Sequence, residues 1–143
     1  MIKVYISIDV ADLKQAETFY IGALGCIKLR DQGADMVVLS TENCELYLQE
    51  KAAGKNPFKT SVTPRNYDRH WTPVHLGFLT ENVDEAVKKI LELGGPHEVG
   101  ESGDWGSVAY CADLLAKAYV LLMNSEALRV VDIEIWTLNL PFY

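Results

Sequence analysis

The stretch that decides the fold is Ile6-Ser7-Ile8-Asp9-Val10-Ala11-Asp12-Leu13-Lys14-Gln15-Ala16-Glu17-Thr18-Phe19-Tyr20-Ile21-Gly22-Ala23-Leu24-Gly25. An alternating apolar run enters a polar residue, an amphipathic helix follows, and glycine stops it. Asp12 is placed to cap that helix, and Leu13, Ala16, Phe19, Tyr20 and Ala23 form one apolar stripe through about Leu24. Seventy positions on (6 to 76, 16 to 86, 25 to 95) the same events recur. Leu76-Gly77-Phe78-Leu79-Thr80 leads into Asn82-Val83, a helical stretch carries Ala86, and Gly95 falls where the offset carries Gly25. A period this long in 143 residues means two copies of one supersecondary unit, not a solenoid.

Working outward, residues 2–10 alternate as Ile2, Val4, Ile6, Ile8 and Val10, the pattern of a strand with one buried face. Three short strands are expected around Cys26–Arg30, Met36–Ser40 and Glu45–Gln49, separated by turn-formers at Gln32-Gly33 and Glu42-Asn43. Residues 51–70, with Gly54, Pro57 and Pro64, read as a polar connection. The second unit starts near Thr72, with a helix over Val83–Leu93 and strands near His97–Gly100 and Ser107–Cys111. The expected fold class is α+β, one domain over 1–143: a first βαβββ module (1–51), a linker (52–70) and a second βαβββ module (71–123).

The bulk composition narrows the function. The chain supports one good core and is too short for two independent ones. No apolar run reaches the length of a membrane span, and Asp9 interrupts the first apolar run, so it reads as a strand and not a signal peptide. Cys26, Cys44 and Cys111 are odd in number and widely spaced, as expected of reduced thiols in a cytoplasmic protein without zinc spacing. A net charge of −7 argues against nucleic acid as a partner. Lys51, Lys55, Lys59, Arg65 and Arg69 nevertheless gather in the linker. They read as a solvated loop or as an anion site beside a cavity.

The order strand, Val10-x-Asp12-Leu13, Ala16-x-x-Phe19-Tyr20-x-x-x-Leu24-Gly25, with His75-Leu76-Gly77-Phe78 opening the second unit, resembles the vicinal oxygen chelate superfamily. That group holds glyoxalase I, extradiol dioxygenases, and fosfomycin- and bleomycin-resistance proteins. The resemblance covers residues 1–112. It implies two βαβββ modules whose curled mixed sheets surround a cavity, often completed by dimerisation, so a homodimer is expected. Metal-dependent members hold a divalent ion with His or Glu from the first and last strands of both modules.

Carried over position by position, the resemblance gives a poor metal site. The four positions are Tyr5, Tyr47, His75 and one near Val120, with Glu45 available if the register shifts; only His75 matches. His70 lies an odd number of residues from His75 and so on the opposite strand face. The expectation is a protein without a metal or other cofactor. Tyr5, Tyr47 and His75, with Trp71 and Trp105 as nearby candidates, then line a site for a small organic ligand, flat or cationic. A metal-dependent lyase or dioxygenase with a degenerate site is the alternative. A third reading places these aromatics in the core.

The repeat breaks after Asp113. The resemblance implies Asp-Pro-x-Gly and then a final strand. The chain instead continues Leu114-Leu115-Ala116-Lys117-Ala118-Tyr119-Val120-Leu121-Leu122-Met123-Asn124-Ser125, which by propensity is a helix capped by Asp113. Ile133–Leu140 alternates like a strand up to Pro141. One hypothesis accounts for the break: a nucleotide is missing just after the Asp113 codon, and 114–143 is a frameshifted tail. Restoring one base permits Pro-Phe-Gly-Lys-Gly-Leu-Cys-Phe-Ile-Asn-Glu and a stop.

Overall fold

In a computed structural model, residues 1–70, 74–104, 106–113 and 119–124 are described. The chain order is β1 (Ile6–Val10), α1 (Leu13–Leu24), β2 (Ile27–Asp31), β3 (Met36–Ser40), β4 (Glu45–Glu50), β5 (Leu76–Thr80), α2 (Val83–Glu92), β6 (His97–Gly103), β7 (Gly106–Ala112) and β8 (Tyr119–Asn124). This is βαβββ twice. The sheets are β1-β4-β3-β2 and β5-β8-β7-β6. In each, the first strand runs parallel to the last and the remaining pairs are antiparallel. They do not close into one barrel.

Both helices start as their sequences dictate. Asp12 accepts from the Gln15 amide at 2.9 Å and Asn82 from the Glu85 amide at 3.0 Å, caps worth about 1 kcal/mol each. Gly25 ends α1 at φ 68°, a left-handed conformation that costs glycine nothing and a branched residue a great deal. Strand β1 begins at Ile6, not residue 2. Its neighbour β4 begins at Glu45 and pairs Ile6 with Leu46, so the earlier residues have no ladder to join.

The two modules share one core. Ile8, Val10, Leu46, Leu48, Val37 and Leu39 from the first sheet meet Phe19, Tyr20, Ile90, Ala109, Cys111 and Leu122. The helices pack closely. A Cβ on Gly95 would lie 2.8 Å from the Phe19 ring and 2.9 Å from the Ala112 carbonyl oxygen, and one on Gly22 would lie 2.7 Å from Leu93. The Tyr20 hydroxyl reaches into the second module and donates to Asp113 at 2.7 Å.

The helix expected over 113–125 is corrected in its second half: Tyr119–Asn124 is strand β8, inserted between β5 and β7. Two flanking ladders satisfy its backbone, and that outweighs the helix propensity of Leu, Ala and Lys. The repeat therefore resumes after its break. Ile6 pairs with Leu46 and Leu76 with Val120, so an offset of 70 in the first strands becomes 74 in the last. Residues 114–118 and the strand expected over 133–140 lie outside the described residues.

Candidate functional site

Strand alternation sorts the first sheet into two faces. Ile8, Val10, Leu46 and Leu48 turn to the helices, so Tyr5, Ser7, Glu45, Tyr47 and Gln49 share the opposite, open face. The β2–β3 ladder slips between Lys28 and Arg30, which pairs Arg30 with Val38, itself paired with Tyr47. The slip brings Arg30 to the open face beside Tyr47.

A cluster results. The rings of Tyr5 and Tyr47 lie 4.7 Å apart, tilted by 51°. The Arg30 Nη2 donates to the Tyr47 hydroxyl at 3.1 Å, and that hydroxyl donates to Glu45 Oε2 at 3.0 Å. The guanidinium also stands 5.8 Å from the Tyr47 ring centroid and 3.8 Å from Glu45. Tyr47 is thus fixed from both sides, while Tyr5 remains 61% exposed. The face presents a ring surface, a guanidinium and a carboxylate to whatever covers it. At its other end, Asp9 is joined by Arg65 of the linker at 2.5 Å.

The expected site residues are only partly gathered. Tyr5 and Tyr47 meet; His75 immediately precedes β5 in the second module. Trp71 and Trp105 lie outside the described residues. The fourth position, expected near Val120, is refined by the register. Register places Leu121, not Val120, as the counterpart of Tyr47, because Ser7 pairs with Tyr47 and Gly77 with Leu121. Arg30 was missed, since only the bulge reveals its face. His70 is in the linker, not on a strand, and its Nδ1 lies 2.7 Å from the Asp68 carbonyl oxygen.

The linker cations are partly paired. Lys51 pairs with Asp35 at 3.5 Å, Arg65 with Asp9, and Arg69 with Glu98. Three of the five are thereby neutralised.

Among the described residues the donor set does not fit a tightly held divalent ion. Glu45 Oε2 is engaged by Tyr47 and Arg30, Tyr5 and Tyr47 are phenols, and His75 belongs to the second module, just before β5. Among the described residues no three His, Cys, Asp or Glu side chains converge. Cys26, Cys44 and Cys111 are free thiols, and burial pushes Cys26 and Cys111 up to about 11. Among the described residues no helix is long and apolar enough to cross a membrane.

Two βαβββ modules of this topology define a class, and comparison with known proteins agrees. A family model described as a glyoxalase-like domain matches residues 5–116. The chain belongs to the glyoxalase-like domain family, within the vicinal oxygen chelate superfamily. Among solved structures, lactoylglutathione lyase from Agrobacterium tumefaciens is 17% identical with a TM-score of 0.59, over 87% of this chain and 94% of that one. The fosfomycin resistance protein FosX from Listeria monocytogenes is 16% identical with a TM-score of 0.66, over 89% and 99%. A variant of the same FosX was solved with Mn(II) and a dihydroxypropylphosphonic acid; it is 17% identical with a TM-score of 0.66, over 90% and 98%. At these identities the likeness is one of fold. No curated protein sequence matches the chain.

Proposed function

We propose that the protein binds a small planar organic compound on the open face around Tyr5 and Tyr47, without a metal ion, and that it does so as a homodimer in the cytoplasm. The observation that carries this reading is the Tyr5–Tyr47 ring pair held beside Arg30 and Glu45. Aromatic rings offer contact area at little entropic cost, and the paired charges can orient polar groups of a guest. The acidic chain favours a cationic guest over an anionic one. A second copy supplies the missing wall: the two sheets of one chain form no common barrel, and Ile27, Leu79 and Val99 on edge strands are about half exposed or more.

Titration with the planar dyes ethidium, acridine orange and fluorescein tests the proposal. Saturable binding is expected, tighter for the two cations. Tyr5→Ala weakens it about tenfold, which corresponds to 1.4 kcal/mol, without lowering Tm. Absence of binding by all three dyes, or unchanged affinity in Tyr5→Ala, contradicts it.

The alternative is a divalent-metal-dependent lyase or dioxygenase. Its support is His75 at the one position where the donor matches, together with the Mn(II) bound in the FosX variant of similar fold.

A further inference from the structure

The two halves of the shared core are not equally filled. In the first module Phe19 packs against Gly95 so tightly that a Cβ on that glycine would be 2.8 Å from the ring. The 70-residue offset carries Phe19 to Lys89 and Gly95 to Gly25. Around Gly25 a Cβ would meet nothing within 4 Å. Among the described residues the ring that fills one groove has no counterpart in the other. What remains is an open hollow of about 390 Å³. Its floor is apolar, formed by Ala23, Phe78, Ala86 and Leu122, and its rim is charged.

The rim favours a cation. Lys89 is drawn to Glu85 at 3.2 Å, whereas Glu81 has no cationic partner among the described residues. Helix α1 points its C-terminal end at the hollow through Leu24 and Gly25, and no basic residue in its last turn offsets the negative end of its dipole. The opposing N-terminal end of α2 is already compensated by the Asn82 cap and by Asp84 and Glu85. The apolar floor and the charge together favour one class of occupant, an aromatic ring bearing an ammonium group, for which the hollow has ample room.

The geometry points to a second binding site, between α1 and α2, for a small aryl-alkyl amine. The ring takes the place that Phe19 occupies in the other half, and the ammonium sits between Glu81 and the carbonyl end of α1. This site is separate from the open face of the first sheet and stands or falls independently of the function proposed there.

Amide chemical shifts of the full chain, titrated with 2-phenylethylamine, test it. The expected result is a saturable response at Gly25, Thr80, Glu81 and Ala86, absent with the isosteric anion phenylacetate. Lys89→Phe, which restores the aromatic of the repeat, abolishes the response. Glu81→Gln, an exposed change with little bearing on folding, weakens binding up to about fivefold, as expected for an exposed ion pair. Equal responses to amine and anion overturn the proposal, and so does undiminished binding in a folded Lys89→Phe protein. A hollow already covered by another part of the chain or by a second copy responds to neither probe, which also overturns it.

Discussion

Tyr20 donates a 2.7 Å hydrogen bond to Asp113, a carboxylate 1% exposed, and so ties the first module's helix to the end of the second module's β7. The two residues are 93 positions apart. Burial and then the carboxylate raise the Tyr20 phenol well above its ordinary value, so it remains a donor throughout the physiological range.

Tyr20→Phe removes that donor and leaves the core volume almost unchanged. A hydrogen bond to a charged acceptor contributes about 2 kcal/mol, a Tm loss of about 6 °C for a chain of this size. Tyr67→Phe, which loses only a bond to the Lys51 carbonyl oxygen, is expected to lose less than half as much. Thermal melts of the two variants check this; equal losses contradict it.

Gly95→Ala drives a methyl to within 3 Å of Phe19, Ile90 and a backbone carbonyl oxygen that cannot rotate away. Overpacking of this kind costs about 1–3 kcal/mol, seen as a lower midpoint in denaturant at unchanged slope. A midpoint equal to that of the parent contradicts the packing described.

Alkaline pH should unfold the protein earlier than its charge alone suggests. The Cys26 and Cys111 thiols are raised from 9.0 to about 11 and Tyr20 well above 10.0, all chiefly by burial. A raised acid stays protonated in the folded chain while the unfolded chain ionises. Its contribution is therefore full below pH 9 and declines as pH rises toward 11. Tm measured from pH 8 to 11 is expected to be flat and then to fall. A Cys26→Ala, Cys111→Ala double variant should be less stable at pH 8 and show a shallower fall.

Sequencing the gene across the Asp113 codon tests the frameshift hypothesis for 114–143. If the hypothesis holds, restoring one nucleotide reads through Pro-x-Gly into a different final strand, one that would take the place of β8. The family match ends at residue 116, close to the break. In-frame relatives encoding this same tail would contradict it.

Much of the fold was legible because the repeat states each element twice. The Met36–Ser40 strand and the starts of both helices follow directly from alternation and from Asp12 and Asn82. Strand β8 was not, because Ala, Leu and Lys favour a helix when read alone, and only the ladders with β5 and β7 override them. The candidate site was half legible. Tyr5 and Tyr47 share a face by simple counting, but Arg30 joins them through a one-residue slip that no local pattern announces. The empty groove at Gly25 was in the repeat from the start, in the pairing of Phe19 with Lys89, yet it acquires meaning only once Phe19 is found against Gly95.

Elemental analysis of protein purified without chelators decides whether the ligand binding proposed for this member of the superfamily proceeds without a metal ion. Far less than one divalent ion per chain is expected, with dye binding unaffected by chelator treatment. One tightly held manganese, iron, nickel or zinc ion per chain would contradict it and return the protein to the metal-dependent class.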